Sequence, residues 1–319
     1  MEKATYGGQA VIEGVMMRGP GRIAVALRRP DGRIDVITQE FAGWGHGRPY
    51  LKWPVIRGAV ALGEALVLGV SALLLSAQEA AGAHGQKMGK AEIAGTLALS
   101  VALAVGLFVL LPTWVVGPLE RAGAQVWLLN LVEGLVRVLI LLGYVAAISR
   151  ISEIRRVLEY HGAEHKAIWA YESGGPLTVE RARLHPRLHP RCGTAFLLVA
   201  AVVSILCFAF LGWPGLFWRV TSRLALLPLV AGVAYEGLRF SARPGLLSRL
   251  VAAPGLWLQG FTTREPDDGQ IEVAVAALGA VLDGGGAGEP APEQAAAMER
   301  STALTGGSDR GEGHGDLAR

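Results

Sequence analysis

From residue 93 onward, long apolar runs are joined by short polar links. Ile93–Val116 is 24 residues without a charge. That is long enough for a helix to cross a hydrocarbon core of about 30 Å. Trp114, near its end, suits the membrane–water interface. A link, Gly117–Gln125, follows, and Val126–Ser149 predicts a second span interrupted by Glu133 and Arg137. Ala195–Gly212 predicts a third. Leu224–Tyr235 is the core of a shorter fourth, closing with Glu236 and Arg239.

The loop between the second and third spans carries Arg150, Arg155, Arg156, Lys166, Arg181, Arg183, Arg187 and Arg191, whereas Gly117–Gln125 holds only Arg121, beside Glu120. Cytoplasmic loops are the ones rich in Lys and Arg, so the large loop is assigned to the cytoplasm. Pro54–Ala77 is apolar enough to span but contains Arg57 and Glu64. Were it to span, the cations Arg18, Arg22, Arg28, Arg29, Arg33, Arg48 and Lys52 would lie outside. The expectation is therefore a helix that is re-entrant or lies in the cytoplasmic interface. Its polar residues Arg57, Glu64, Ser71 and Gln78 recur every seven positions, which makes one polar stripe along a helix.

The N-terminal pattern has period two instead. Arg22–Arg28 and Arg33–Ile37 flank Pro30-Asp31-Gly32, a good hairpin signal. Gly7–Gly19 reads as a further strand bracketed by glycines. No Lys-Ser/Thr follows it, so it is a poor phosphate loop. Gly245–Phe261 reads as interfacial, Ile271–Leu282 as a short soluble helix and Gly284–Arg319 as a disordered tail. The predicted fold is a mainly α-helical polytopic membrane protein with four transmembrane helices, one re-entrant or interfacial helix and a small N-terminal β-hairpin region. Its divisions are a β-rich region (1–53), the ambiguous helix (54–77), a first helix pair (93–149), a motif loop (150–194), a second pair (195–240), an interfacial segment with a short helix (241–282) and the tail (283–319).

Composition agrees. Of 319 residues, 51% are hydrophobic and 18% charged, with mean hydropathy +0.38. Soluble domains carry about a quarter charged residues. A net charge of +3 is too small to argue for nucleic acid. Cys192 and Cys207 sit at opposite ends of one predicted helix, roughly 22 Å apart at 1.5 Å per residue, too far for a disulfide. Met1–Gly8 has no apolar stretch, so no signal peptide is expected. Both termini are expected in the cytoplasm, with membrane lipids as surroundings.

The motif loop holds His161-Gly162-Ala163-Glu164-His165, of the form H-x-x-E-H. Residues four apart share a helix face, so both imidazoles can reach one metal. In inverted zincin peptidases the Glu of this pattern is a general base on activated water. Ile151, Ile154, Leu158, His161, His165 and Ile168 keep helical spacing, as if the second span continued into the cytoplasm. A catalytic zinc takes three protein ligands. The third is sought in His189 or Cys192, with His185 and Glu172 weaker. The bland alternative is that His161 and His165 bond Glu164, Tyr160 or backbone groups in a packed loop. Arg187 and Arg191 equally serve as membrane anchors, and Cys192 as a small core residue. A second constellation lies inside the spans. Asn130, Glu133, Arg137 and Tyr144 share a face, with Glu133 and Arg137 free to pair with each other or with Arg57 and Glu64.

Four segments together resemble the YqhQ-like family of bacterial membrane proteins, whose shared region has no assigned function: residues 7–19, Tyr160–Lys166, Arg187–Thr194 and Leu258–Pro266. The resemblance covers about residues 1–280. It implies a membrane protein described as a metal-dependent enzyme without an established reaction, and it puts Glu13, Arg18, His161, Glu164, His165, His189, Arg191 and Cys192 in the shared set. The expectation drawn from residues and resemblance together is a multi-pass inner-membrane protein with a cytoplasmic, membrane-proximal site. A divalent ion, most simply zinc, would sit on His161 and His165 with His189 or Cys192. Glu164 would be the base, and Arg18 and Arg191 would hold an anionic group of a membrane-associated substrate. A non-enzymatic scaffold, with a structural metal or none, is the alternative, and a transporter built on Glu133, Arg137, Arg57 and Glu64 is a third. Homo-oligomers remain open.

Overall fold

A computed structural model describes residues 6–83, 89–241 and 245–282. The tail expected at 283–319 and residues 1–5 lie outside them. The chain is mostly helical, with one four-stranded antiparallel sheet at the N-terminus: β1 (Gly7–Val11), β2 (Gly14–Gly19), β3 (Arg22–Arg28) and β4 (Ile34–Glu40), paired in sequence order. The β3–β4 hairpin falls where the Asp31-Gly32 signal puts it. Residues 7–19, read as one strand, are instead a hairpin turning at Ile12-Glu13, with Glu13 at φ +53°. Glu13 is fixed there by a two-pronged pairing with Arg156 and a 3.3 Å hydrogen bond from the Tyr160 hydroxyl.

Alternation along β3 explains how the sheet is used. Ile23, Val25 and Leu27 point to one face, with Val11, Met16 and Ile37, and meet Leu68, Ala72 and Leu75 of α1 (Ile56–Ala83). Ala24 and Ala26 point to the other face, with Ala10, Val15 and Met17. They meet Tyr160, Ala163 and Ala167 of α5 (Ser152–Glu172) and Ile271, Ala274 and Leu278 of α10 (Asp268–Leu282). Both faces of the sheet are therefore apolar and covered. On this face α10 covers β2 and β3, and α5, with the small Ala163 turned inward, lies against β1 and β2.

α1 runs unbroken for 28 residues, so no re-entrant bend divides it. Its start crosses α8 (Leu216–Ser241) where Gly58 and Gly232 face each other, and a methyl on Gly232 would overlap the Val55 carbonyl. Val55 itself is at φ +69°, a costly conformation for a β-branched residue. Four stretches are long and apolar enough to cross a membrane: Ile56–Ala80, Ala91–Arg121, Val126–Ile148 and Phe217–Ser241. The second comprises α2 (Lys90–Val105), a π turn (Gly106–Leu110) and α3 (Leu111–Arg121). The third is α4 (Val126–Ile148). The segment expected at 195–212 is α7 (Ala195–Ala209), only 15 residues and about 22 Å long, short of a full hydrocarbon core. α9 (Leu246–Thr262) packs on α7 and α8 and carries Leu258 into a small core with Val145 and Leu198.

α5 does not continue α4. The chain breaks at Ser149–Ile151, with Ile151 extended, which frees α5 to turn onto the sheet. Among the charges within the helices, Glu133 and Arg137 pair with each other as one expectation had it, whereas Arg57 and Glu64 find other partners. Arg57 bonds Glu236, and Glu64 bonds Arg18. Glu133 takes Arg137 and also Arg223, which is four residues beyond Arg219 on α8. Cys192 and Cys207 are both free thiols.

Candidate metal centre

His161 and His165 lie one turn apart on α5, and the loop after α6 (Val179–Arg183) brings Cys192 beside them. The two imidazoles and the Cys192 sulfur offer ligand atoms all within 4.8 Å of one another, with His165 and Cys192 buried and His161 half-buried. The backbone sets each ring. His161 Nδ1 is 2.7 Å from the Thr262 carbonyl oxygen, and His165 Nδ1 is 2.6 Å from that of Arg187. A carbonyl only accepts, so both Nδ1 atoms carry the proton and both Nε2 atoms keep a lone pair on the side of Cys192. His161 Nε2 is 3.2 Å from Cys192 Sγ. His165 Nε2 is buried and, among the described residues, has no hydrogen-bond partner. Thr194 adds its hydroxyl at 3.1 Å and its N–H at 3.4 Å to Cys192 Sγ. Metal-bound histidines nearly always donate their second ring N–H to a carbonyl or carboxylate in this way.

Burial lowers the pKa of His165, so the ring is held neutral, the form that binds metal. Burial raises that of Glu164, which accepts a backbone hydrogen bond from Gly8. β1 and α5 can approach this closely because position 8 is glycine. A Cβ there would press on the carboxyl of Glu164 and the carbonyl of Met16.

His189 is near but is not brought into the cluster. Its ring centroid is 5.7 Å from that of His165. Nδ1 accepts from the Arg191 N–H at 3.3 Å, and Nε2 is 3.4 Å from a Glu172 oxygen. Burial holds His189 neutral with a pKa of about 4, so its Nε2–H donates to the Glu172 carboxylate and the contact is not an ion pair. Between His189 and Cys192 as third donor, the geometry favours Cys192. Glu172 also pairs with Arg191, and His185 is turned to Ser173, 3.3 Å away.

A cavity of about 540 Å³ joins these groups. Arg18, Glu164, His165, His189, Arg191 and Cys192 line it, with apolar wall from Ala61, Ala65 and Leu68 of α1 and Tyr235 of α8. Arg18 reaches it from β2, bonded to Glu64 at 2.5 Å and stacked 4.8 Å over Phe41. Arg18, Glu164, His165, His189, Arg191 and Cys192 thus share one space, which His161 touches through Cys192, whereas Glu172 and His185 do not line it and Glu13 lines a separate cavity with Arg156.

Sequence reasoning missed what braces the loop. Gln259, fully buried, bonds the N–H and the carbonyl of His189, each at 2.9 Å. Arg187 bonds the Thr263 hydroxyl at 2.7 Å. The Arg264 N–H reaches the Leu158 carbonyl at 2.8 Å. The only signal for these was their place in the 258–266 segment. Gly162 lies under this strap, and a methyl there would overlap the Arg264 carbonyl oxygen. Intrinsic propensity says that Gly162→Ala gains about 1 kcal/mol in a helix. The overlap reverses the sign, and the variant is expected to lose about 1–3 kcal/mol, read as a lower melting temperature.

No solved structure matches the chain significantly. "Uncharacterized protein YqhQ" of Bacillus subtilis (strain 168) is 35% identical over 299 residues, covering 87% of this chain and 92% of the relative. Residues 53–284 match the family described as protein of unknown function DUF1385, so His161, Glu164, His165 and Cys192 fall inside the matched region. The chain belongs to the DUF1385 family.

Proposed function

We propose that this protein is a metal-dependent, hydrolase-like membrane enzyme whose site lies at the cytoplasmic edge of the inner membrane. The observation that carries the reading is the preset pair of imidazoles. Both Nδ1–H groups are tied to carbonyls, and both Nε2 atoms are left facing one thiol, one of them buried and, among the described residues, without a hydrogen-bond partner. His161, His165 and Cys192 hold a divalent ion. Two nitrogens and a sulfur suit zinc, and three protein donors leave a position open. When bound, the ion supplies Lewis acidity that makes a water molecule easier to deprotonate. Glu164, next to the donors and kept basic by its buried setting, accepts the proton. Arg18 and Arg191 are each tethered by one carboxylate and keep further N–H donors for an anionic group. Apolar wall from α1 and α8 suits a membrane-associated substrate, lipid-linked or peptide.

In this reading the basic motif loop is cytoplasmic and both termini lie inside. α1 lies along the interface rather than across the membrane, because the inner face of its second half covers the sheet. The scaffold reading draws on the 3.2 Å His161–Cys192 contact, a hydrogen bond that closes the site without an ion. Metal analysis of full-length protein purified without chelators tests the proposal. About one divalent ion per chain is expected, and metal-free protein would overturn it.

A further inference from the structure

The charges inside the membrane-crossing helices do not balance. Glu133 is 1% exposed. Its Oε1 takes Arg137 at 2.7 Å, Arg223, and the Thr113 hydroxyl at 3.1 Å. Among the described residues, neither arginine has a second carboxylate within 4.0 Å. Arg219 is already taken by Glu120 at 3.5 Å. Two cations therefore share one anion. Arg137 is the middle residue of α4, about 16 Å from either end at 1.5 Å per residue. A charge at that depth is costly and normally faces a partner, and a purely structural pair needs only one arginine.

Beside the excess charge there is space. A cavity of about 230 Å³ lies between the π turn, α4, α7 and α8, and both Arg137 and Arg223 line it. Its remaining wall is mostly apolar, including Val109, Ile205, Phe208 and Leu227. Leu224 and Leu227, also in the wall, are about half exposed, so the cavity borders the outer surface of the helices. The π turn at Gly106–Leu110 forms part of the wall and turns the Phe108 carbonyl to Arg137 Nε, 3.1 Å away. Single π turns inside helices are rare and recur at functional sites.

We propose that this cavity binds the anionic head of an amphiphile, a single phosphodiester or carboxylate carried on hydrocarbon. The unmatched guanidinium provides charge and a fork of donors. Apolar walls leave a hydrophilic ion without its hydration but accept the first carbons of a chain. The volume is below the roughly 300–1,000 Å³ of sites that enclose a whole drug-sized ligand, so the head group enters and the remaining chain stays in lipid. The site is separate from the metal centre and does not depend on it.

Full-length protein in neutral detergent, equilibrated separately with phosphatidylglycerol, palmitate, phosphatidylcholine or inorganic phosphate, is weighed by native mass spectrometry. One phosphatidylglycerol or palmitate is expected to stay on each chain, at least tenfold more than phosphatidylcholine, and to resist displacement by inorganic phosphate. The better retained of the two identifies the head group. Arg137→Gln leaves the balanced Glu133–Arg223 pair, so the helices still pack and retention falls at least tenfold. Glu133→Gln keeps the side-chain shape, adds one net positive charge and raises retention. The retained amphiphile raises the melting temperature of the wild type but not of Arg137→Gln. Arg121→Gln, on α3 and outside the cavity, changes neither readout. Equal retention of phosphatidylcholine, displacement by inorganic phosphate, or unaltered retention in Arg137→Gln overturns the proposal.

Discussion

Replacing His161 and His165 together by Ala is expected to take the purified protein from about one divalent ion per chain to none. The two rings are two of the three proposed donors, and a lone thiol cannot hold zinc against dilution. Structural zinc sites with a full donor set bind with an apparent 10–16 kcal/mol, so losing two imidazoles removes most of that. The double variant also leaves the Thr262 and Arg187 carbonyls without their ring N–H donors. The strap over α5 loosens, and the melting temperature falls as well. Melting alone would not separate a metal site from a packed histidine pair. Metal content does, and adding a chelator to the wild type should reproduce the part of the melting shift that comes from the ion. A double variant that still carries a full equivalent would mean that the ion sits elsewhere.

The parts of this picture that were legible in the sequence are those set by local periodicity. The 3.6-residue spacing from Ile151 to Ile168 places His161 and His165 on one face, and the strict alternation of β3 predicts its strand. What periodicity could not carry is pairing across distance. A cation does not announce its partner, so Arg57 and Glu64 were associated with Glu133, when Glu236 and Arg18 take them. Arg223 escaped notice because it lies just outside the apolar core of its helix as read from hydropathy, although the helix begins at Leu216. The turn at Glu13 was hidden because a non-glycine residue at positive φ is held there by Arg156 and Tyr160, residues some 145 positions away. Gln259 carries no chemical signature at all, and its role appears only where it clasps both backbone groups of His189. The choice between His189 and Cys192 likewise turned on which ring nitrogens were already engaged.

Glu164→Gln is expected to leave the ion in place and abolish the chemistry. The side chain is not among the three clustered donors, and Gln preserves its shape and still accepts the hydrogen bond from Gly8. What it loses is the ability to take a proton. A positioned general base contributes about 10²–10⁴-fold, so turnover should fall by that factor with metal content and melting temperature unchanged. The fall is in kcat rather than KM, because Arg18 and Arg191 still line the cavity. Turnover is read as mass changes in a membrane-lipid extract and a peptide library incubated with wild type and variant. Burial of the carboxylate alone would give a different pattern, since removing a buried charge that does no chemistry stabilises the fold or leaves it unmoved and costs no rate. A fully active Glu164→Gln protein that keeps its ion would therefore move the centre from enzyme to scaffold, with the ion serving only to pin the 187–194 loop to α5.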